Sequence, residues 1–474
     1  SDRITRRLCH QPSPLCQSAD PQPYMPNNLL ILHLESITRH SLAAFETSFP
    51  NLRRLMRDAL VFDNFFSSAT STLMAITYLF HGNDFEFDTS AEFDGISPAG
   101  NTRNLFAILK DRGYNAHFIC LNGFHTGGDM RFTAWPDALP PVWSTNDFPT
   151  LFRRFDELTD TAPFAIYAWD LVTHIEHSLA LAPFSSSFTD QVRRACGVAD
   201  DAIGEMMAIL ERKGLLDKTT IVIFGDHGDD YWTHGFKGGM VHATEPYTQI
   251  TWTPLAIRDP ALSPGTSTNL ASTIDIAPTC LALLGIAEPG GFRHRGLNLL
   301  TQPQEIVFSQ NFTANQPDNQ KLGIAKAFAA TDDTYVLLAS SRGLEMYAYR
   351  LDLGNHCNLL QFFDLGPESE LALRARPDAA AHFRAALTHN PRAVASITER
   401  FRALHDALSA RIAAKRAYIL ENGVEPAFAI DPQCLAVIAG GTGFQASRPA
   451  DPAASLKTLN YSIQTTFNYS PKTF

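Results

Sequence analysis

The stretch IVIFGDHGDD, residues 221–230, places Asp226 and His227 directly after an apolar run and before a glycine. A carboxylate oxygen and an imidazole nitrogen side by side are ligands that suit zinc or manganese, with magnesium or calcium as oxygen-preferring alternatives. His234, Lys237 and His242 follow within the same part of the chain. His174 and His177, in YAWDLVTHIEHS, come after another apolar run and are candidates for contacting substrate or a second metal. His125, in LNGFHTGGDMRF, has a similar place and reads equally well as a loop histidine. Glu35 closes LILHLES, where a carboxylate either caps a helix or binds metal. Thr72 lies in FFSSATSTLMAITYLFHG, residues 65–82, where small hydroxyl residues run into an apolar helix ending at Gly82. A hydroxyl there either caps the helix, as Ser67, Ser68, Thr70 and Ser71 could, or gains a more stable alkoxide from the positive end of the helix dipole.

Elements that could position these groups are visible as four apolar runs: Asn28–Leu34, Tyr114–Cys120, Pro163–Asp170 and Thr219–Gly225. Helical patterns at Phe49–Leu60, Asn101–Arg112 and Phe188–Lys213 alternate with them. Strands that are apolar throughout and alternate with helices imply a mostly parallel central sheet, sandwiched by helices in an α/β fold. Ligands in such sheets sit beyond the carboxyl ends of the strands, which is where Glu35, His174 and Asp226–His227 fall. From about Ile306 the texture changes: Leu322–Phe328, Thr334–Leu338 and Leu344–Tyr349 read as a small C-terminal antiparallel subdomain. Amphipathic helices follow at about Asp378–Leu387 and Arg392–Leu420, before a Pro-, Gly- and Thr-rich end. The division expected is an N-terminal extension (1–27), a catalytic domain (28–305), the antiparallel subdomain (306–365) and a helical and irregular tail (366–474). The Arg-rich helix face (Arg392, Arg400, Arg402, Arg411, Lys415 and Arg416) reads as a packing layer, a homo-oligomer contact or a peripheral membrane contact.

The order of these groups resembles the sulfatase-like branch of the alkaline-phosphatase superfamily, from about Asn28 to Leu365. LDKTTIVIFGDHGDD looks like that family's approach to its metal-binding Asp-His pair. STIDIAPTCLALLGI (272–286) is similar to its D-x-x-P-T helix, HRGLNLL (294–300) to the segment after it, and GLEMYAYRLDLGNHCNLL (343–360) to its C-terminal subdomain. The resemblance implies an alkaline-phosphatase-like fold, a metal site of Glu35, Thr72, Asp226 and His227, and a nucleophilic Thr72. It puts His174 or His177, His234, Lys237 and His242 near substrate or a second metal. Sulfatases acting through formylglycine need Cys or Ser within C/S-x-P-x-R, whereas Thr72 is followed by Leu73, Met74, Ala75 and Ile76. Sulfate-ester hydrolysis by that route is therefore not expected. A single Glu with a Thr nucleophile is closer to phosphoethanolamine and phosphoglycerol transferases, including lipoteichoic-acid synthases. That implies a phospholipid-like or other phosphodiester donor, a covalent phospho-Thr72 and a glycan or similar acceptor. A phosphodiesterase, phosphatase or sulfatase-like hydrolase of the same fold and a non-catalytic pseudoenzyme are the alternatives.

Bulk properties fit one large domain with appendages: 474 residues, 45% of them hydrophobic and 18% charged. With a net charge of −11 and no Lys/Arg cluster, nucleic acid is excluded as a partner. An anionic substrate must be held by metal, His and Lys locally rather than drawn in by a positive surface. No apolar run reaches the roughly 18 residues of a membrane helix. The seven scattered cysteines favour a reducing, cytoplasmic compartment for the chain as given. A Cys9–Cys16 pair, or a truncated ectodomain, would instead fit a periplasmic or extracellular setting. Cys120 and Cys280 read as small core residues.

Overall fold

The computed structural model describes residues 27–84, 87–89, 96–98, 103–121, 142–145, 147–174, 188–230, 242–243, 245–311, 327–340, 343–355, 358–364, 372–373 and 391–422. Its main sheet contains β1 (Asn28–Leu34), β2 (Leu60–Phe66), β5 (Asn115–Leu121), β6 (Val142–Thr145), β7 (Phe164–Asp170), β8 (Thr219–Gly225), β9 (Leu255–Arg258) and β10 (Gly265–Ser272). Between β2 and β5 a small hairpin pairs β3 (Phe87–Thr89) with β4 (Ile96–Pro98). The strand order is β10-β2-β9-β8-β1-β7-β5-β6, and β9 alone runs against its neighbours. β1 therefore lies inside the sheet with parallel neighbours on both sides, which explains why its sequence is apolar almost throughout.

Successive side chains of β1 go to opposite faces. Leu29 and Ile31 join the core under α3 (Thr72–His81), α4 (Leu105–Asp111) and α8 (Ile276–Leu283). Leu30, Leu32 and Leu34 join the other core, under α2 (Pro50–Arg57), α5 (Phe148–Leu158) and α6 (Phe188–Arg212). Fully buried Leu or Ile side chains contribute about 1.5–3 kcal/mol each, so this double-sided burial pins the register of β1. Cys120, Cys196 and Cys280 are buried within these cores and form no disulfide, as the small-core-residue reading implies for Cys120 and Cys280. Cys9 and Cys16 lie outside the described residues.

A second sheet pairs β11 (Val307–Asn311), β12 (Ala327–Thr331), β13 (Val336–Ser340) and β14 (Gly343–Tyr347) antiparallel in chain order. Its polar first strand, VFSQN, is absent from the sequence reading. The long helix α10 (Pro391–Asn422) lies on β12 and β13. Among the described residues, Ile397, Phe401, Leu404, Leu408 and Ile412 are buried at the three-and-four spacing that makes one apolar face, and Lys415 is buried with them. Arg400 pairs with Asp332 and Asp333, and Arg411 with Asp84, so these two arginines face the protein. Among the described residues no helix is long and apolar enough to cross a membrane.

Candidate functional site

Register brings the first two groups together. Leu34 of β1 is paired with Gly225 of β8, so the residues that follow each strand, Glu35 and Asp226, emerge side by side at the carboxyl edge. Glycine is required on both sides of the Asp226–His227 pair. A Cβ on Gly225 would come within 2.3 Å of the Ile37 carbonyl oxygen, and one on Gly228 within 2.1 Å of Thr38 Cγ2. Thr72 is the first residue of α3, preceded by Ser71 in an extended conformation that makes no side-chain cap. The helix ends at Gly82, whose φ of 58° is the left-handed cap that glycine supplies.

The four groups converge. Thr72 Oγ1 donates to Glu35 Oε1 at 3.1 Å and lies 2.8 Å from His227 Nε2. His227 Nε2 is 3.2 Å from Asp226 Oδ2 and 3.7 Å from Glu35 Oε1. Glu35, Asp226 and His227 have no solvent exposure at all. Trp169 Nε1 of β7 donates to Glu35 Oε2 at 2.8 Å, and the backbone N–H groups of Ser36 and His227 donate to Asp226 Oδ1. His227 Nδ1 is 3.1 Å from the Gly228 carbonyl, which turns Nε2 towards Thr72.

Residues the sequence reading left out complete the arrangement. His33 lies one alternation before Glu35, on the α3 side of β1, and its Nε2 is 3.2 Å from Asp226 Oδ2 and 3.7 Å from Glu35 Oε2. Strand alternation was the signal available for it, since residues 29, 31, 33 and 35 share a face. Asp229 accepts a 3.0 Å hydrogen bond at Oδ1 involving His242 Nδ1. The His242 ring stacks on His227 with centroids 4.5 Å apart, and His174 meets His242 edge-on at 5.2 Å. His174 and His242 thus gather beside the four converging groups. His177, His234, Lys237 and His125 lie outside the described residues.

Burial dominates the electrostatics. It pushes the Glu35 carboxyl well above the usual range, reinforced by the charge of Asp226, while Trp169 and Thr72 oppose the rise. Asp226 is held below the usual range because His227, His33 and the Ser36 N–H together outweigh burial. Burial lowers His227 to about 4 against the pull of Asp226, leaving a neutral ring with a lone pair to offer. Asp229 is also depressed: burial is outweighed by the hydrogen bond and charge of His242.

Two carboxyl groups buried side by side are costly without a cation, and the rise of Glu35 reflects that cost. His33, Glu35 and Asp226 each offer one ligand atom, all within 4.8 Å of one another. His33 Nε2 and Asp226 Oδ2 are buried without a hydrogen bond despite their proximity. A divalent ion bound by this buried group would satisfy both atoms.

The Sulfatase family model matches residues 27–138 and 118–286, more than half of the chain. Arylsulfatase K of Danio rerio is 33% identical over 105 residues, covering 22% of this chain and 19% of the relative. Lipoteichoic acid synthase 2 of Bacillus subtilis is 23% identical over 230 residues, covering 47% of this chain and 34% of the relative. The matched segments thus span about a fifth to a third of those relatives. Among solved structures, a 2-O GAG sulfatase superposes with a TM-score of 0.58 at 15% identity, covering 86% of this chain and 96% of its own. A protein of the alkaline phosphatase superfamily from Vibrio parahaemolyticus superposes with a TM-score of 0.50 at 17% identity, covering 79% and 88%.

Proposed function

We propose, for a chain that belongs to the sulfatase family, that it is a metal-dependent transferase of phosphoethanolamine- or phosphoglycerol-type groups working through a covalent phospho-Thr72. The observation that carries this reading is the convergence of one hydroxyl on the buried Glu35–Asp226–His227 group, with Thr72 Oγ1 at 3.1 Å from Glu35 and 2.8 Å from His227. Glu35, Asp226, His227 and Thr72 would hold zinc or manganese. When bound, that ion supplies Lewis-acid polarisation of the phosphoryl group and a lower pKa for the hydroxyl.

The side chains have distinct tasks. Thr72 Oγ1, placed at the start of α3, attacks phosphorus of a phosphodiester donor; the P–O bond to threonine forms and the bond to the leaving alkoxide breaks. Its hydrogen bond to Glu35 Oε1 fixes the oxygen's lone pairs and gives the hydroxyl proton an acceptor. The helix dipole favours the anion that results. His242, oriented by Asp229, delivers a proton to the leaving oxygen. An acceptor hydroxyl, on a glycan or similar molecule, then attacks phosphorus and gives its proton to His242; the P–O bond to Thr72 breaks and Oγ1 takes back the proton held by Glu35. Lys237, His234 and His174 are the candidates for holding the remaining phosphoryl oxygens.

Arylsulfatase similarity favours a second reading, a hydrolase in which water takes the second step. The absence of the C/S-x-P-x-R pattern around Thr72 weighs against the formylglycine route within it. Intact-mass analysis after incubation with phosphatidylethanolamine or phosphatidylglycerol tests the proposal. An adduct of head-group mass, mapped to Thr72 and missing from Thr72→Ala, is expected. Turnover of donor with an unmodified Thr72 throughout would remove the covalent mechanism. Head group released as free phosphoester, even with an acceptor glycan present, would favour the hydrolase.

A further inference from the structure

We infer that His33 is an additional donor to the cation of this site and makes it select a zinc-class transition ion over magnesium or calcium. The inference rests on the metal site of the proposed function and deepens it.

The donor atoms form a closed ring. His33 Nε2 is 3.2 Å from Asp226 Oδ2, which is 3.2 Å from His227 Nε2. His227 Nε2 is 2.8 Å from Thr72 Oγ1, which is 3.1 Å from Glu35 Oε1, and Glu35 Oε2 lies 3.7 Å from His33 Nε2. Ligand bonds of about 2.0–2.2 Å place neighbouring donors at separations of this size. His33 is the one donor of this ring that lies within a strand of the sheet, β1.

The imidazole is built to stay there. It is 1% exposed, lies parallel to the Trp169 ring at 5.4 Å and tilts against Phe224 at 5.0 Å. Its Nδ1 shares a 2.8 Å hydrogen bond with the Tyr167 hydroxyl, whose pKa is raised well above the usual value by burial, so the phenol stays neutral. With Nδ1 engaged, Nε2 is the atom turned to the carboxylates, yet it makes no hydrogen bond with Asp226 Oδ2. A metal-binding histidine with its other nitrogen held by an outer partner has this arrangement.

The chemistry follows from donor type. Glu35, Asp226 and Thr72 are oxygen donors that magnesium or calcium accepts, and His227 adds a single nitrogen. A second imidazole moves the set to two nitrogens and three oxygens, which favours zinc, cobalt or nickel over hard cations.

The test uses the full chain loaded with Co²⁺, with proton NMR of the paramagnetically shifted imidazole N–H signals. The wild type should show two such signals, from His33 and His227, and His33→Gln one. In calorimetry His33→Gln should weaken Zn²⁺ binding by about tenfold or more while changing Mg²⁺ binding little. A folded His33→Gln protein, checked by circular dichroism, that binds Zn²⁺ as tightly as wild type would overturn the inference. So would a single imidazole signal in Co²⁺-loaded wild type, which needs no variant and leaves the metal site of the proposed function standing. A wild type that binds neither Co²⁺ nor Zn²⁺ overturns that metal site and this inference together.

Discussion

Two sets of buried carboxylates in this molecule are balanced in opposite ways. Where α10 and the second sheet meet the main domain, the protein supplies the counter-charge: Asp84 is met by Arg411, and Asp332 by Arg400 and the N–H groups of Thr334 and Tyr335. At the carboxyl edge of the main sheet, Glu35 and Asp226 are as deeply buried, but among the described residues their ion-pair partners are histidines alone. The first arrangement closes a structure. The second leaves charge to be balanced by something that enters, and a nucleophile stands beside it.

The largest expected effect probes that nucleophile. Thr72→Ala should lower turnover by at least about a thousandfold while the protein folds and still takes up Zn²⁺, more weakly for the lost oxygen ligand, read by steady-state kinetics and calorimetry. Unchanged turnover would break the comparison at its functional end.

Stability measurements address the charge balance itself. Arg411→Ala strips Asp84 of its partner and should cost about 3 kcal/mol in denaturant unfolding. Glu35→Gln in metal-free protein should leave stability unchanged or raise it, because burial already pushes this carboxyl well above the usual range. It should weaken Zn²⁺ binding sharply. A loss of several kcal/mol in metal-free Glu35→Gln would show that the site is already balanced without a cation.

A smaller effect separates positioning from binding. Asp229→Asn should reduce kcat about a hundredfold with KM and metal affinity nearly constant, since Asp229 acts through His242. An equal rise in KM would assign the pair to substrate binding.

The smallest effect tests a buried titratable group away from this charge balance. His81 is 1% exposed, and burial lowers its pKa to about 4 against a hydrogen bond with the Thr77 carbonyl that raises it. Unfolded histidine titrates near about 6.5, so the folded state binds fewer protons between that pH and about 4. The contribution is full above the window and is lost as pH falls through it. His81→Gln should flatten the decline in stability between about pH 6.5 and 5.5 by about 1 kcal/mol, read from unfolding curves.

What the sequence revealed follows the same physics. β1 and β8 were legible to the residue because strands buried on both faces must be continuously apolar. β2 was not: Asp63 and Asn64 interrupt its pattern, and their partners Arg39, Arg350 and the Thr268 carbonyl come from remote parts of the chain. β10, GTSTNLAS, is an edge strand with a mostly exposed first half and no apolar signal. Asp226 and His227 could be found because two polar residues directly after such a run have few other uses, whereas Glu35 read equally as a helix cap and was assigned to the metal by the family resemblance. His33 was hidden inside an apolar run, where a histidine reads as core, and Asp229 gains meaning only when the chain returns with His242.

The central claim is that one ion sits against Thr72 at this edge, and anomalous diffraction from zinc-soaked crystals tests it most directly. The account predicts a peak bonded to Thr72 Oγ1, Glu35, Asp226 and His227. Well-ordered crystals with no anomalous peak there, or with zinc bound elsewhere and Thr72 turned away, would contradict it.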